Sequence, residues 1–174
     1  MGVPLLVAGC GFGAVTVEPY EREPGTEQVC AALVEELPDR LRDAVRRDVR
    51  PEQEGTTAWG RPAIVLRCGV PMPAEYRPDA QLLVVDDVAW LPVEGEGGTF
   101  FTALERTARV EVAVPEGYEP EGDLLAELAP AITSAVPLSA DPSAGAAPSR
   151  AGAGAARGRR PRSRPTAAGT STWA

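Results

Sequence analysis

The stretch from residue 58 to residue 71, AWGRPAIVLRCGVP, constrains the fold more than any other part of this chain. Its centre is a short apolar run that is rich in β-branched residues, which favours a β-strand. Alternation along a strand places Ile64, Leu66 and Cys68 on one face and Arg67 on the other. Because the first face is apolar, we expect Cys68 to point into a hydrophobic core. The stretch therefore predicts a core strand with flanking turns rather than a catalytic motif.

The residue types that are missing exclude several classes of active site. The 174-residue chain contains no His, and all 17 of its basic residues are Arg. Without an imidazole there is no Ser-His or Cys-His catalysis, and without Lys there is neither a Schiff-base lysine nor a P-loop lysine. Three widely spaced cysteines do not suit a structural zinc site. We therefore expect no metal and no cofactor.

Charge is distributed unevenly along the chain, whose net charge is −8. The segment from Ser139 onward carries six Arg and one Asp, whereas the rest of the chain carries 11 Arg and 24 acidic residues. Phosphate binding needs clustered positive charge, so we expect the acidic body to bind no nucleic acid.

From residue 139 onward the composition is dominated by Ala, Gly, Pro, Ser and Arg. Such a segment cannot bury enough apolar area to offset its ordering entropy, which predicts a disordered tail over 139–174. The basic run at 157–164 could contact an anionic polymer, lipid head groups or the acidic body itself. The alternative is a dispensable extension without a function.

The first ten residues, MGVPLLVAGC, end in a pattern that is typical of a lipobox. An aliphatic residue and two small residues precede Cys10, the thiol that would carry lipid and anchor the protein. The segment before Cys10 lacks a basic region and has a short apolar stretch. We therefore interpret residues 1–10 as a truncated lipoprotein signal. The alternative is an ordinary N-terminal strand with a free cysteine.

The remaining two cysteines are predicted to face the same core. Thr26 can cap a helix that begins at Glu27, and the apolar residues that follow recur at helical spacing, with Cys30 on the inward stripe. An inward Cys30 on the helix and an inward Cys68 on the central strand are natural disulfide partners. One lipidated cysteine and one pair also leave no thiol over, as an oxidising compartment favours. The alternative is two buried free thiols.

Residues 39–47 allow a short second helical turn, whereas residues 46–50 could instead begin a strand. Farther along, two apolar runs at 82–85 and 88–91 flank Asp86 and Asp87. Because Asp tolerates positive φ better than most residues, this pattern predicts a tight β-hairpin with the two aspartates in its turn.

The glycine-rich sequence EGEGG at 94–98 predicts a flexible loop. Segments 99–104 and 108–115 read as a further strand pair, and the second alternates valines with polar or small residues. A last helix is predicted over 123–135, with Pro130 near its middle.

These elements predict an α+β domain at 26–138. An antiparallel β-meander of about four to six strands would be covered on one face by two helices. Residues 11–25 are predicted to form a tether with one short strand. The chain would then consist of the signal at 1–10, this tether, the domain and the disordered tail.

Several segments resemble one known family. They are CAAL at 30–33, AWGRP at 58–62, IVLRCGV at 64–70, VAWLP at 88–92 and VEV at 110–112. Together they resemble a family of uncharacterised actinobacterial envelope proteins, the domain of unknown function 3515, over about residues 5–138. The resemblance implies a lipoprotein or secreted protein, which agrees with the cysteine pattern. It implies no activity, and the Arg-rich tail lies outside it.

We therefore expect an extracytoplasmic, lipid-anchored module of the cell envelope that binds or assists an envelope component and has no catalytic activity. Cys10 would hold it at the cell membrane, and without that anchor it would be secreted. The first candidates for binding residues are Trp59 and Arg67, although core and corner positions also explain both.

Two other functions are compatible with the sequence. The first is an acid-base enzyme, such as a hydrolase, that uses carboxylates among Asp86, Asp87 and Glu111. It requires two carboxyl groups that face each other across a cleft, one with a raised pKa. The second is a cytoplasmic structural protein, which would keep reactive thiols at Cys30 and Cys68.

Overall fold

The computed structural model describes residues 13–140, within which the chain forms two helices and ten strands. The predicted signal and nearly all of the predicted tail lie outside the described residues. The helices are α1 (Glu27–Glu36) and α2 (Glu121–Ala135). The strands, in chain order, are β1 (Val15–Thr16), β2 (Arg40–Leu41), β3 (Ala44–Arg47), β4 (Val49–Arg50), β5 (Thr56–Trp59), β6 (Ile64–Cys68), β7 (Leu83–Val85), β8 (Val88–Gly95), β9 (Gly98–Ala103) and β10 (Val110–Pro115).

Eight of these strands form one antiparallel sheet in the order β2-β3-β5-β6-β10-β9-β8-β7. The sheet consists of two four-stranded meanders, β2-β3-β5-β6 and β7-β8-β9-β10, which join where β6 pairs with β10. The α+β class is confirmed, but the prediction of four to six strands was too low. Strands β2 and β3, which the strand count did not include, lie at one edge of the sheet. Their Arg-rich sequence has no alternation of apolar and polar residues that would predict a strand.

Both helices cover the same face of the sheet, and their buried residues share one hydrophobic cluster with inward residues of β6 and β10. These inward strand residues, all expected from alternation, are Ile64, Leu66, Cys68, Val110, Val112 and Val114. Burial of one Val, Leu or Ile side chain contributes about 1.5–3 kcal/mol. This cluster is therefore the main source of stability in the described part of the chain.

Helix α1 begins at the expected residue but is capped differently from the prediction. The hydroxyl of Thr26 donates to the carbonyl of Glu23 at 2.6 Å and does not accept from a helix N–H. At the other end, the Arg46 guanidinium donates to the carbonyls of Val34 and Leu37, both at 3.3 Å. A helix C-terminus leaves such carbonyls unpaired and favours a cation. Strand β3 therefore supplies the positive charge that the last turn of α1 lacks.

The β7–β8 hairpin has the predicted turn. Asp86 and Asp87 have φ values of 46° and 63°, so both occupy the left-handed region that a two-residue hairpin turn requires. Both aspartates occupy the central positions of the turn and are exposed.

The glycine-rich segment 94–98 is not a flexible loop, as was predicted, but a second tight hairpin. Strands β8 and β9 pair as far as Gly95 and Gly98, which leaves a two-residue turn between them. A Cβ added at Gly98 would lie 2.2 Å from the carbonyl oxygen of Val114. Glycine is therefore needed here because the neighbouring strand approaches closely, not because the segment must be flexible.

The N-terminal segment contains the predicted short strand, β1, but it is not a loose tether. Over its described residues, 13–25, the predicted tether is packed against the sheet face opposite the helices. Strand β1 pairs in parallel with β4, and buried Val15 and Val17 pack against Ala58. The segment is therefore part of the folded body.

Packing of the N-terminal segment predicts that Val17→Ala lowers the free energy of unfolding by roughly 1–3 kcal/mol, because it removes buried methyl groups. The matched control is Thr16→Ala, since the neighbouring Thr16 is exposed and its truncation should change stability by less than about 0.5 kcal/mol. Urea unfolding of the two variants measures both values. Equal, negligible effects would mean that the segment is a loose tether after all.

Candidate functional site

The sheet face opposite the helices carries a row of side chains that crosses five strands. Cross-strand register places these residues next to one another. From β5 to β8, this row consists of Thr56, Arg67, Glu111, Thr102 and Leu91, of which Thr102 and Leu91 are buried. Its charged centre lies on β6 and β10, in the middle of the sheet.

Arg67 and Glu111 form an ion pair at this centre. They are directly opposite in the register, and Arg67 Nη1 lies 3.4 Å from Glu111 Oε1. Their side chains are 24% and 20% exposed, so both are partly shielded but reachable from solvent. Burial raises the pKa of Glu111 above its ordinary value of 4.5, and the charge of Arg67 opposes that shift.

Tyr20, from the N-terminal segment, lies beside this pair. The guanidinium carbon of Arg67 is 5.9 Å from the centre of the Tyr20 ring, within cation–π range. The Tyr20 hydroxyl donates to the carbonyl of Cys68 at 2.7 Å. Burial raises the pKa of Tyr20 above 10.0, although nearby positive charge acts in the opposite direction. The hydroxyl therefore stays protonated at neutral pH and remains a donor.

Three buried polar atoms beside Tyr20 have no hydrogen-bond partner within the part of the chain that the structure describes: Gln53 Oε1, Thr56 Oγ1 and Arg67 Nε. Gln53 uses its amide nitrogen to donate to the Tyr20 carbonyl at 2.8 Å, which leaves its oxygen as an acceptor. Because these atoms are buried, the groups that a ligand can reach here are the partly exposed guanidinium of Arg67 and carboxylate of Glu111. Such groups can bind and orient a polar ligand.

The two nominated binding residues do not lie together. Trp59 is fully buried on the helix-covered face, and its indole N–H donates to the carbonyl of Pro38 at 2.9 Å. Arg67 lies on the opposite face, because Trp59 pairs with Ile64 and side chains alternate along β6. Trp59 is therefore a core residue that no ligand can reach in this fold, whereas Arg67 keeps the position that a binding residue needs.

The three carboxylates named for acid-base catalysis are not paired either. Asp86 and Asp87 lie in the turn at the sheet edge formed by β7, whereas Glu111 lies on β10, with β9 and β8 in between. The partner of Glu111 is the cation of Arg67 rather than a second carboxyl group. These residues therefore do not form the facing pair that the hydrolase hypothesis requires.

Cys30 and Cys68 form the predicted disulfide, with an Sγ–Sγ distance of 2.03 Å and a Cα–Cα distance of 5.5 Å. Both residues are fully buried. A Cβ added at Gly55 would lie 3.3 Å from the Cβ of Cys30, and Gly55 has a φ of 79°. A glycine thus allows the loop before β5 to close over the disulfide. The third cysteine, Cys10, lies outside the described residues.

Two buried arginines have roles that sequence reasoning missed. Arg106 donates to the carbonyls of Val136 and Asp87 at 2.8 and 2.9 Å and thereby connects the end of α2 to the β7–β8 turn. Burial lowers the pKa of Arg106. Arg109 donates to the carbonyl of Val70 at 3.1 Å and forms an ion pair with Glu23. No local pattern could reveal these contacts, because each joins segments that are distant in the sequence.

A cavity of about 540 Å³ opens at the other edge of the sheet, beside β3 and the β5–β6 turn. Its lining includes Val45, Arg47, Arg61, Tyr118 and Asp43. Among residues 13–140, no group of His, Cys, Asp and Glu side chains is arranged to hold a metal ion.

The fold and its contacts define a small α+β domain with an internal disulfide and a charged pair on its open sheet face. The family described as "Protein of unknown function (DUF3515)" matches residues 7–140, so the chain belongs to that family. This confirms the resemblance at the level of the family. No curated protein and no solved structure matches the chain. Neither helix of the described region has the length and apolar character needed to span a bilayer.

The raised pKa of Glu111 predicts a specific pH dependence of stability. Between pH 4.5 and the higher pKa of the folded state, the folded protein holds a proton that the unfolded chain has lost. Stability is therefore lost as the pH rises through that window. Glu111→Gln cannot ionise, so its stability relative to the wild type should increase from pH 4 to pH 7.

Urea unfolding as a function of pH measures this difference. The control is Glu96→Gln, which removes an exposed charge from the β8–β9 turn. A Glu111→Gln profile parallel to that of the wild type would contradict the assignment of Glu111 as a desolvated carboxyl group.

Proposed function

We propose that this protein is an extracytoplasmic, lipid-anchored module of the cell envelope that binds or assists another envelope component. The observation that carries the proposal is the Cys30–Cys68 disulfide. Disulfides persist in oxidising compartments and are rare in the reducing cytosol, so a buried structural disulfide favours export. A cytoplasmic protein would instead keep these two thiols reduced.

The cysteine count supports the proposed lipid anchor. Pairing of Cys30 with Cys68 accounts for two of the three cysteines, and the third, Cys10, ends the lipobox-like sequence at 7–10. An aliphatic residue and two small residues before a cysteine suit cleavage and acylation by the lipoprotein pathway. Stable anchoring needs more than one acyl chain or an additional basic patch. The Arg-rich segment 157–164 is a candidate for contacts with anionic lipid or polymer.

The binding role is assigned to the open sheet face. Arg67, Glu111 and Tyr20 place a cation, an anion and an aromatic ring in one neighbourhood. Such a mixed surface suits a polar ligand or a polar segment of an envelope protein. No described group beside it is placed as an acid-base partner for Glu111, which favours binding over catalysis.

Mass analysis of the membrane fraction tests the anchor. We expect the mature protein to begin at Cys10 and to carry lipid on that residue, and Cys10→Ala should release the protein from the membrane fraction. The matched control is Gly13→Ala, because a Cβ at this exposed glycine meets no atom within 4 Å. Retention of Cys10→Ala in the membrane fraction, together with an unmodified Cys10, would refute lipid anchoring.

Removal of the disulfide tests the compartment and the stability together. The double variant Cys30→Ser/Cys68→Ser opens a loop of 38 residues, which should lower the free energy of unfolding by about 3–4 kcal/mol on the chain-entropy model.

The compartment is tested on wild-type protein taken directly from cells and denatured without reductant. Under that condition, a thiol reagent should not alkylate Cys30 or Cys68. Alkylation of both residues under that condition would indicate a reducing compartment.

A further inference from the structure

The N-terminal segment joins the folded body at one defined place. Arg47 donates from one end of its guanidinium group to the carbonyl of Gly13 and from the other end to the carbonyl of Gly60, at 2.8 Å. Two residues farther on, the N–H of Val15 donates to the carbonyl of Asp48 at 2.7 Å. The chain is therefore fixed beside β3 and the β5–β6 turn from Gly13 onward.

The segment 40–61, beside which Gly13 is fixed, has the opposite net charge to the rest of the chain before residue 139. Residues 40–61 contain six of the 11 Arg that precede residue 139 but only four of the 24 acidic residues. Arg50 and Arg61 are exposed, and Arg47 is partly exposed. The segment beside which the N-terminal residues are fixed thus carries a net charge of +2 in an otherwise acidic domain.

An exposed apolar side chain lies on the same surface. Val45 is 51% exposed, and alternation along β3 places it on the same side of that strand as Arg47. Val45, Arg47 and Arg61 also line the cavity of about 540 Å³ together with Tyr118, Asp43 and Asp48. We call Val45, Arg47, Arg50 and Arg61 the basic edge.

We propose that the basic edge is the surface with which the domain faces an anionic lipid bilayer. This inference rests on the proposed anchor at Cys10. Three peptide units separate Cys10 from Gly13, so their Cα atoms are at most about 11 Å apart. A lipid on Cys10 therefore holds the basic edge close to the head groups. Each Arg near an anionic surface then adds attraction, and the acidic remainder of the body is repelled.

The orientation leaves the rest of the molecule accessible. Strand β7 lies at the sheet edge opposite β2 and β3, and six strand spacings of about 4.8 Å separate β3 from β7. The β7–β8 turn with Asp86 and Asp87 would accordingly point away from the membrane, about 29 Å across the sheet from β3. Glu111 and Arg67 lie between these two edges, where a ligand can approach along the bilayer surface.

The experiment uses the full chain in its disulfide-bonded form. Because Cys30 and Cys68 are bonded and fully buried, a maleimide phospholipid reacts selectively with Cys10. The coupled protein is placed in nanodiscs that contain a gadolinium-chelating lipid, either with phosphatidylcholine alone or with added phosphatidylglycerol. Paramagnetic relaxation of backbone amides then reports which surface is nearest to the head groups.

The measured quantity is the paramagnetic relaxation of the amides at residues 44–61 divided by that of the amides of Asp86 and Asp87. We expect this ratio to be higher in the discs with phosphatidylglycerol. Arg50→Gln and Arg61→Gln should each reduce the population of this orientation about fivefold. The control is Arg77→Gln, which removes an exposed charge from the connection between β6 and β7 and should leave the ratio unchanged.

A ratio that is equal in both disc types, or that the two variants do not change, would overturn the proposal. So would a profile that peaks at the β7–β8 turn. Because Cys10 is coupled chemically, these outcomes do not depend on lipidation in cells. Failure of the orientation is therefore distinguishable from failure of the anchor, which the mass analysis reports.

Discussion

Cys68 is the residue on which most of the structure depends, because four separate segments meet there. Its sulfur is bonded to Cys30 of α1, and its backbone N–H donates to the carbonyl of Gly55 at 2.9 Å. Its carbonyl accepts from the Tyr20 hydroxyl, and its strand register places it opposite Val110 of β10. The helix layer, the loop before β5, the N-terminal segment and the second meander are thus all positioned relative to one residue at the end of β6.

The parts of the fold that could be predicted are those with a local pattern. Alternation identified the inward residues of β6 and β10, and helical spacing placed Cys30 on the buried side of α1. The two aspartates identified a hairpin turn because their backbone tolerance is a property of the residues themselves. Strands β2 and β3 were not predicted because their Arg-rich sequences do not alternate between apolar and polar residues. Their place in the sheet is set by neighbours that the sequence does not reveal.

The candidate site could be predicted only in part, for the same reason. The sequence nominates Arg67 together with Trp59, and it offers Glu111 as one of three candidate acids. Their contact depends on the pairing of β6 with β10, and three other strands lie between these two in the sequence. Tyr20 contacts Cys68 across 48 positions, and Gln53 reaches Tyr20 across 33. Polar contacts between residues so far apart produce no periodic pattern in the sequence. The sequence therefore predicted a tether with one short strand for the N-terminal segment.

The division of the sheet into two meanders has a consequence for the order in which the chain can assemble. All of β2, β3, β5 and β6, and both bonded cysteines, precede residue 69, whereas the second neighbour of β6 begins only at Val110. During vectorial synthesis or transport, the covalent link can close while one side of β6 still has unpaired backbone groups. Such an edge invites pairing with other chains until β10 arrives. Early oxidation would hold the first half together during that exposed interval.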